Sequence, residues 1–224
     1  MAEQLILELP VRTALGRDDY FVSTANTAAV ERLDARDRWP NAKLVLVGPK
    51  GAGKTHLAHV WADAEHGRVI EASELGALDL SLVDTPLAVD DADNTPQEAE
   101  EALFHLHNHM AHAGIPLLLT AVTPPARWTV RLPDLASRMQ ASDVARINAP
   151  DDALLAAMLV KLFADRQIGV SPGLVAWIVT HCERSFAAVQ RLVPALDAAA
   201  LSEKRAITQH LAAAVLDKLG EDAR

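Results

Sequence analysis

Short apolar runs alternate with amphipathic segments along the first two thirds of the chain. The runs are leucine-rich and β-branched, and we predict strands there, at residues 43–47, 68–71, 86–89, 115–122 and 144–147. Between them Leu57, Val60 and Trp61 have the spacing of one helix face, and helices are predicted at residues 26–37, 54–65 and 96–112. Strands that alternate with helices predict an α/β fold with a mainly parallel, five-stranded sheet covered on both faces.

The pattern changes after Pro150, where no further strand is predicted. Asp151 or Asp152 can cap a helix, and more helices are predicted near residues 172–182, 185–201 and 208–219. We therefore divide the chain into an N-terminal tail (residues 1–15), an α/β domain (residues 16–149) and a small all-helical domain (residues 150–224).

Composition and charge narrow the classes of function. Aromatic residues make up only 4% of the chain, which favours helices packed on a modest sheet over an all-β fold. The formal net charge of -9 argues against a large basic surface for nucleic acid. Cys182 is the only cysteine, and no apolar run approaches the roughly 18 residues of a membrane helix. We therefore expect a cytoplasmic protein that does not contact membranes.

One glycine-rich segment carries the strongest chemical signal. Residues 48–55 read GPKGAGKT and fit the phosphate-binding pattern G-x-x-x-x-G-K-[ST] at every fixed position. In this pattern main-chain amides turn toward phosphate, Lys54 reaches the β- and γ-phosphates, and the Thr55 hydroxyl binds Mg²⁺. A glycine-rich surface turn is the alternative, which the preceding strand and following helix disfavour. The predicted nucleotide-binding residues here are Gly48, Pro49, Lys50, Gly51, Ala52, Gly53, Lys54, Thr55 and His56.

Polar residues at the ends of two further strands extend this site. Asp90 follows the third predicted strand, and we assign it to the Mg²⁺ shell, through water. Asp91 then stands where a catalytic side chain can polarise the attacking water. Thr120 lies near the end of the fourth strand, where its hydroxyl can sense the γ-phosphate and bind nucleotide. The alternatives are an acidic loop after a core strand and a threonine that only favours β-structure.

Two arginines are candidates for contacts with phosphate. Arg138 ends the segment LPDLASR, and in trans it could act as a catalytic finger that stabilises charge in the transition state. Arg184 lies just before a helix in the second domain, from which it could close over the nucleotide. The alternative for Arg138 is a surface salt bridge. The alternative for Arg184 is a side chain that is only solvated.

Four histidines crowd one predicted helix. No cysteine or glutamate completes a zinc signature among them, so we predict no metal site there. They are His105, His107, His109 and His112.

Taken in order, these features resemble one protein family. The phosphate loop, the Asp90-Asp91 strand end, the LPDLASR segment and the helical second domain resemble the AAA+ module of the replication initiator DnaA. The resemblance spans residues 4–219 and is greatest to the short Hda-type regulatory inactivators of DnaA, with an alphaproteobacterial-like segment at residues 183–188. It implies a P-loop AAA+ domain with a helical lid, bound ADP or ATP with Mg²⁺, and contact with DnaA across an AAA+ interface.

The N-terminal tail gains a meaning from this resemblance. Family members carry a peptide of the form Q-L-x-L-x-L that binds the sliding clamp of DNA polymerase, and residues 4–9 read QLILEL. Such a peptide places leucines in apolar pockets and hydrogen-bonds its glutamine at the rim. An ordinary edge strand is the alternative. The predicted clamp-binding residues are Gln4, Leu5, Leu7 and Leu9.

Two positions depart from the family pattern. Val122 stands where relatives have an aspartate, and its side chain cannot form a hydrogen bond. Ala187 aligns with the nucleotide-sensing arginine of the lid, and Arg184 lies one turn earlier. Both departures argue against strong ATP hydrolysis by the isolated protein.

The resemblance as a whole implies a negative regulator of chromosomal replication initiation. Bound nucleotide sets the angle between domain and lid, the N-terminal peptide tethers the protein to the DNA-loaded clamp, and Arg138 promotes hydrolysis of ATP bound to DnaA. DNA is contacted only indirectly through the clamp, and a homodimer is left open. The alternatives are an autonomous AAA+ ATPase or loader, and an adaptor that holds ADP as a structural ligand.

Overall fold

The computed structural model describes residues 22–221 of the chain, and these form two compact units, residues 22–148 and residues 149–221. The five strands lie in the first unit, and the second is helical. None of the described helices is long and apolar enough to cross a membrane. The strands are β1 (Lys43–Val47), β2 (Arg68–Glu71), β3 (Leu87–Asp90), β4 (Leu117–Ala121) and β5 (Asp143–Arg146).

These strands form one parallel sheet in the order β2-β3-β4-β1-β5. Every residue of β1, β3 and β4 is buried, which explains why their sequences are almost continuously apolar. The predicted α/β fold with a five-stranded parallel sheet is confirmed, and the strand ends differ from the prediction by at most two residues.

The order of the strands indicates where a ligand would bind on this sheet. From β1 the chain passes to the far edge at β2, returns through β3 and β4, and crosses to β5 on the other side of β1. Val47 at the end of β1 is in register with Ala121 of β4 and Arg146 of β5. In open parallel sheets, ligands bind beyond the carboxyl ends of the strands where the strand order reverses.

The helices of the first unit differ from the prediction mainly at their ends. The first ends at Asp34 instead of continuing to residue 37. Arg36–Arg38 form a separate 3-10 turn, and Trp39 is extended before Pro40, with its indole N–H donating to the Arg32 carbonyl at 2.8 Å. The third begins at Glu100 after a short 3-10 turn, and ends at the left-handed Gly114. The four helices are α1 (Thr27–Asp34), α2 (Lys54–Ala64), α3 (Glu100–Ala113) and α4 (Pro133–Gln140).

Helix α4 was not predicted, although it contains the LPDLASR segment. Its eight residues are too few for a clear apolar period, and only Leu135 and Met139 on it are buried. The remaining signal was Pro133 in the first turn, a position where proline is favoured because its missing N–H has no helical partner.

The second unit is a bundle of four helices with capped starts. Asp151, Ser171 and Ser185 each accept a hydrogen bond from the main-chain N–H three residues later, at 2.8, 3.2 and 3.1 Å. Its core includes Leu159, Phe163 and the buried Cys182. The helices are α5 (Asp152–Asp165), α6 (Pro172–His181), α7 (Phe186–Glu203) and α8 (Gln209–Glu221).

Candidate functional site

The glycine-rich loop lies at the carboxyl end of β1 and leads directly into α2. Gly51 and Gly53 have φ of 75° and 85°, in the left-handed region that costs other residues about 1 kcal/mol or more. A side chain at Gly48 would be crowded, because a Cβ there would lie 3.0 Å from the Cβ of Ile147. The sequence pattern therefore matches a loop whose main chain favours glycine at all three positions.

Lys54, the first residue of α2, is folded back into the loop. Its side chain is buried, with 7% of its surface exposed, and its Nζ donates to the carbonyls of Gly48 at 3.0 Å and Pro49 at 3.1 Å. Burial lowers the pKa of this ammonium, and the carboxylates of Asp91, Asp90 and Asp93 oppose that effect. A buried cation inside a turn of main-chain amides is suited to an anionic phosphate.

Asp90 and Thr55 lie together at the edge of the loop, as the Mg²⁺ prediction requires. The Thr55 hydroxyl donates to Asp90 Oδ2 at 2.7 Å, and the Asp90 side chain is buried. One hydroxyl and one carboxylate, completed by waters and phosphate oxygens, form the kind of oxygen shell that Mg²⁺ prefers. The two residues therefore fit the ion, which would neutralise phosphate charge, and their role in binding it stays a prediction.

Thr120 lies beside the Asp90 carboxylate and is shielded from solvent. It is fully buried; its hydroxyl donates to Asp90 Oδ1 and accepts from the main-chain N–H of Asp91 at 3.0 Å. Because the β3–β4 register pairs Val89 with Leu119, Asp90 and Thr120 follow at the same level of the sheet. In this geometry Thr120 orients Asp90, and a direct contact with the γ-phosphate stays a prediction.

Asp91 lies at the turn that follows β3. Its φ of 54° and ψ of 41° are left-handed, a conformation that aspartate tolerates better than most residues, and its side chain is exposed. An exposed carboxylate next to Asp90 can reach a water near the phosphate loop, and the catalytic role of Asp91 stays a prediction.

Asp93 is a residue of this site that the sequence analysis missed. Its Oδ2 accepts hydrogen bonds from the main-chain N–H groups of Val122 at 3.0 Å and Thr123 at 2.9 Å. Asp93 therefore holds the turn after β4, where Val122 itself offers no polar side-chain atom. Its Oδ1 is buried and has no hydrogen-bond partner among residues 22–221, and Asp93 lines a cavity of about 10 Å³, roughly the space for one water.

Arg138 lies on α4, whose start is fixed by a buried carboxylate. Glu100, 5% exposed on the first turn of α3, accepts from the main-chain N–H groups of Arg131 at 3.0 Å and Leu132 at 2.8 Å. Leu132 immediately precedes the helix, where unpaired N–H groups favour a negative charge.

The other end of α4 is fixed by a buried cation. Lys43, at the start of β1, donates from Nζ to the main-chain oxygen of Arg138 at 2.9 Å. The Arg138 side chain is exposed, and its guanidinium carbon lies 5.5 Å from the centre of the Phe104 ring, within the range of a cation–π contact. Both anchors were missed because Lys43 and Glu100 lie in elements that gave no sign of their distant partners.

The remaining predicted residues are Arg184 in the helical unit, His56 next to the phosphate loop, and the clamp-binding residues of the N-terminal tail. Arg184 is exposed within the helical unit and pairs with Asp152 of α5 at 2.9 Å, so its predicted contact with nucleotide stays a prediction. His56 follows Thr55 on α2 with an exposed side chain. The predicted clamp-binding residues Gln4, Leu5, Leu7 and Leu9 lie outside the described residues.

The histidines of α3 do not converge. His109 contacts the Val83 carbonyl at 2.7 Å, His107 is buried, and His105 and His112 are exposed. Within residues 22–221, no group of three or more His, Cys, Asp or Glu side chains could hold a metal ion.

Two curated proteins that the chain resembles in sequence are replication initiators. It is 31% identical over 147 residues to the chromosomal replication initiator protein DnaA of Sphingopyxis alaskensis, covering 65% of this chain and 31% of that protein. It is 24% identical over 223 residues to DnaA of Cutibacterium acnes, covering 89% and 44%. The chain thus spans less than half the length of these two initiators, and no family model matches it.

Solved structures share the fold more fully. Domain III of the Thermotoga maritima replication initiation protein DnaA has a TM-score of 0.72 at 17% identity, covering 93% of this chain and 98% of that domain. DnaA bound to AMPPCP and single-stranded DNA has a TM-score of 0.65 at 14% identity, covering 84% of this chain and 66% of that one. The Thermotoga maritima RuvB branch migration motor has a TM-score of 0.64 at 16% identity, covering 85% and 68%. The chain therefore has the fold of DnaA domain III, and its sequence is similar to part of DnaA.

Proposed function

We propose that this protein is an AAA+ regulator of chromosomal replication initiation that binds ADP or ATP with Mg²⁺ and promotes hydrolysis of ATP bound to DnaA. In this proposal it acts in the cytoplasm as a negative regulator of the Hda type, in a complex with the DNA-loaded sliding clamp. The protein's own site then serves to hold nucleotide, and the chemistry takes place in the site of the partner.

The observation that carries this proposal is the way α4 presents Arg138. The guanidinium is exposed, while buried side chains hydrogen-bond the main chain on both sides of it, Glu100 before the helix and Lys43 in its last turn. An arginine supplied in trans must reach a neighbour's phosphate in a defined geometry, and a helix fixed at both ends favours that.

Nucleotide binding is supported by the phosphate loop. Lys54 lies inside it, and Thr55 and Asp90 lie together at its edge. AMPPCP, an ATP analogue, is bound in a DnaA structure that shares this fold. We infer that ADP or ATP fills the same loop here, with Asp91 beside it and His56 at the start of the following helix.

The test is hydrolysis of labelled ATP pre-bound to DnaA, with clamp-loaded DNA. Arg138→Ala should lower the stimulation by roughly tenfold to a hundredfold. Finger arginines in other phosphoryl-transfer systems contribute more than that, and we expect less here because basal hydrolysis by DnaA already uses its own residues. Arg138→Lys should also fail, because an ammonium lacks the planar fork that bridges two phosphate oxygens. Arg127→Ala, at another exposed arginine of the same unit, is the matched control. Full stimulation by both Arg138 variants would refute the proposal.

An adaptor that holds ADP as a structural ligand is the second candidate. Val122 favours it, because this side chain, directly after β4, cannot hydrogen-bond a γ-phosphate or an attacking water, and Ala187 on α7 stands where the family has a sensing arginine. An adaptor would bind ADP tightly and tolerate Arg138→Ala in the same assay. An autonomous ATPase would instead turn over ATP without DnaA and lose that turnover on Lys54→Ala.

A further inference from the structure

A second polar cavity lies at the opposite end of β1 from the phosphate loop. Its volume is about 360 Å³, within the range of small-ligand pockets. Because Asp134, Ser137 and Arg138 on α4 are exposed, the cavity opens to solvent along that helix. We call it the Arg138 cavity; its polar lining consists of Asn41, Lys43, His107, Asp134, Ser137 and Arg138.

Lys43 places an incompletely paired positive charge in the wall of this cavity. Its side chain is 2% exposed, and its ammonium, which has three donors, has one hydrogen bond, to the Arg138 carbonyl. Burial lowers the pKa of Lys43 to about 8, and the charge of Arg138 adds to that effect. Among the described residues no carboxylate forms an ion pair with it, although buried cations normally have such a partner.

His107 adds a buried polar atom without a partner. The residue is 4% exposed, and its Nδ1 has no hydrogen bond within the described part of the chain. Burial, with the charges of Lys43 and Arg138, lowers the pKa of His107 to about 4, so the ring is neutral near pH 7. Buried polar atoms are normally hydrogen-bonded, and one that is not calls for an explanation such as a ligand or an ion.

The balance of charge in the lining favours an anion. Lys43 and Arg138 carry positive charges, and Asp134, exposed at the rim, is the one carboxylate that the described residues contribute to the lining. The ammonium, the guanidinium and the imidazole together offer several hydrogen-bond donors, whereas the Ser137 hydroxyl already donates to the Asp134 carbonyl at 2.9 Å. A tetrahedral phosphoryl group, with three or more acceptor oxygens and negative charge, matches such a set better than a planar carboxylate does.

We propose that the Arg138 cavity is an anion site for a phosphoryl group, bound between Lys43, His107 and Arg138. The same chemistry has two sources, free inorganic phosphate and the terminal phosphate of a nucleotide held by a neighbouring subunit. The second source rests on the proposed function, in which Arg138 acts on DnaA-bound ATP, and the first does not. In this site Lys43 and His107 bind the phosphoryl group together with Arg138, and Lys43 does more than hold the end of α4.

The first arm of the test uses the isolated protein and inorganic phosphate. The phosphate loop is first saturated with ADP, and the ring nitrogens of the histidines are followed by NMR during a phosphate titration. His107 should shift saturably, while His112, exposed on the same helix, should not follow it. Lys43→Met should weaken this binding roughly tenfold to a hundredfold, as expected for the loss of a charge-assisted hydrogen bond. Lys218→Met, at an exposed lysine of the helical unit, is the matched control.

A milder variant protects this arm against a failure to fold. Arg138 is exposed, so Arg138→Ala should fold normally, and it should weaken phosphate binding by roughly tenfold, as expected for the loss of a charge-assisted hydrogen bond. The absence of a saturable His107 shift in the wild type would overturn the proposal, as would equal affinity in wild type, Lys43→Met and Arg138→Ala.

The second arm measures hydrolysis of DnaA-bound ATP. If the neighbour's nucleotide is the source, Lys43→Met and His107→Gln should reduce stimulation while leaving ADP affinity unchanged. Phosphate binding together with full stimulation by Lys43→Met would assign the cavity to free phosphate and reject the neighbour's nucleotide. If Arg138→Ala loses stimulation but the first arm fails, the proposed function stands and the anion site falls. If phosphate binds but Arg138→Ala retains stimulation, the anion site stands and the proposed function falls.

Discussion

Glu100 Oε2 lies 2.8 Å from the main-chain nitrogen of Leu132, thirty-two residues further along the chain. Through this contact the first turn of α3 holds the start of α4. Together with the bond from Lys43 to the Arg138 carbonyl, it attaches the helix to both a strand and a neighbouring helix. Both ionic side chains are buried. Removing Glu100 leaves two main-chain N–H groups without this acceptor, whereas the Arg138 carbonyl also accepts from the Ser142 hydroxyl at 3.1 Å.

Removal of the Glu100 carboxylate should therefore destabilise the first unit. Glu100→Ala leaves the N–H groups of Arg131 and Leu132 without this acceptor, and we expect a loss of about 2–4 kcal/mol in the free energy of unfolding. Urea denaturation followed by circular dichroism measures this loss. Glu101→Ala, at an exposed position on the same helix, is the control and should change stability by less than about 0.5 kcal/mol. Equal effects of the two variants would contradict the anchoring role.

Lys54→Ala should abolish nucleotide binding without weakening the ligand-free fold. A ligand at 100 times its dissociation constant stabilises a protein by about 2.7 kcal/mol, and this increment should vanish. The ligand-free variant should be about as stable as the wild type, because burial already disfavours the charged form of Lys54. Calorimetric titration with ADP and thermal unfolding check both parts. An unchanged ADP affinity would show that the loop does not bind phosphate as proposed.

Thr120→Val tests whether Thr120 acts through Asp90 or on the phosphate itself. Valine keeps the shape but removes the hydrogen bonds to the Asp90 carboxylate and the Asp91 N–H. If Thr120 orients the metal ligand, the variant should lose the part of ADP affinity that depends on Mg²⁺ and keep the part measured in EDTA. Titrations with and without Mg²⁺ separate the two. A γ-phosphate sensor would instead lower affinity for ATP analogues and leave ADP unaffected in both buffers.

Replacement of Gln4, Leu7 and Leu9 by alanine should remove sliding-clamp binding. The proposed contact uses apolar pockets and a glutamine at the rim, neither of which involves the phosphate loop. ADP affinity should therefore remain unchanged, and it serves as the internal control. Surface-immobilised clamp measures the binding, and undiminished binding of the variant would return this segment to the edge-strand interpretation.

His107 should make the protein acid-sensitive over a defined pH range. Its pKa of about 4 in the folded chain lies below the ordinary 6.5, so between these values the unfolded chain binds more protons. The free energy of unfolding should therefore fall as pH decreases from 6.5 to 4, by up to roughly 3 kcal/mol. Urea denaturation at several pH values across this range measures how steeply the free energy of unfolding changes with pH. His107→Gln should flatten this dependence, whereas His112→Gln, at an exposed site, should not; equal slopes would argue against the buried neutral ring.

Lys43 should produce a second pH-dependent window at high pH, with the same sign. Its pKa, lowered from 10.5 to about 8, means that the unfolded chain also binds more protons between these values, so stability should rise with pH there. Lys43→Met removes the buried charge, and should lose this slope and be at least as stable as the wild type at pH 7. A loss of several kcal/mol at pH 7 would mean that the bond to the Arg138 carbonyl outweighs the cost of burying the charge.

The sheet and the phosphate loop could be predicted because their signals are local. β1, Gly48 to Thr55 and α2 are consecutive, and glycine spacing, a buried strand and helical period each need only a few adjacent residues. The nearness of Asp90 to Thr55 followed from parallel topology, since the carboxyl ends of parallel strands meet at one edge of the sheet, although β4 lies between β3 and β1.

The contacts that could not be predicted join distant segments. Lys43 reaches a carbonyl 95 residues away, and Asp93 reaches the turn after β4, about 30 residues away. In both contacts the acceptor or donor on the other side is a main-chain atom, which leaves no trace in the residue types of the sequence. Only the packing of helices against the sheet determines which main-chain groups these side chains meet.

The single cysteine gives this protein a built-in chemical probe. Cys182 is buried in the helical unit, and burial raises the pKa of its thiol, so little reactive thiolate is available while the bundle is folded. A maleimide pulse therefore labels wild-type molecules only when that bundle has opened. A cysteine introduced at an exposed position, as in Ser137→Cys, would be labelled first and alone, so a fluorophore can be placed beside Arg138 without replacing the native cysteine.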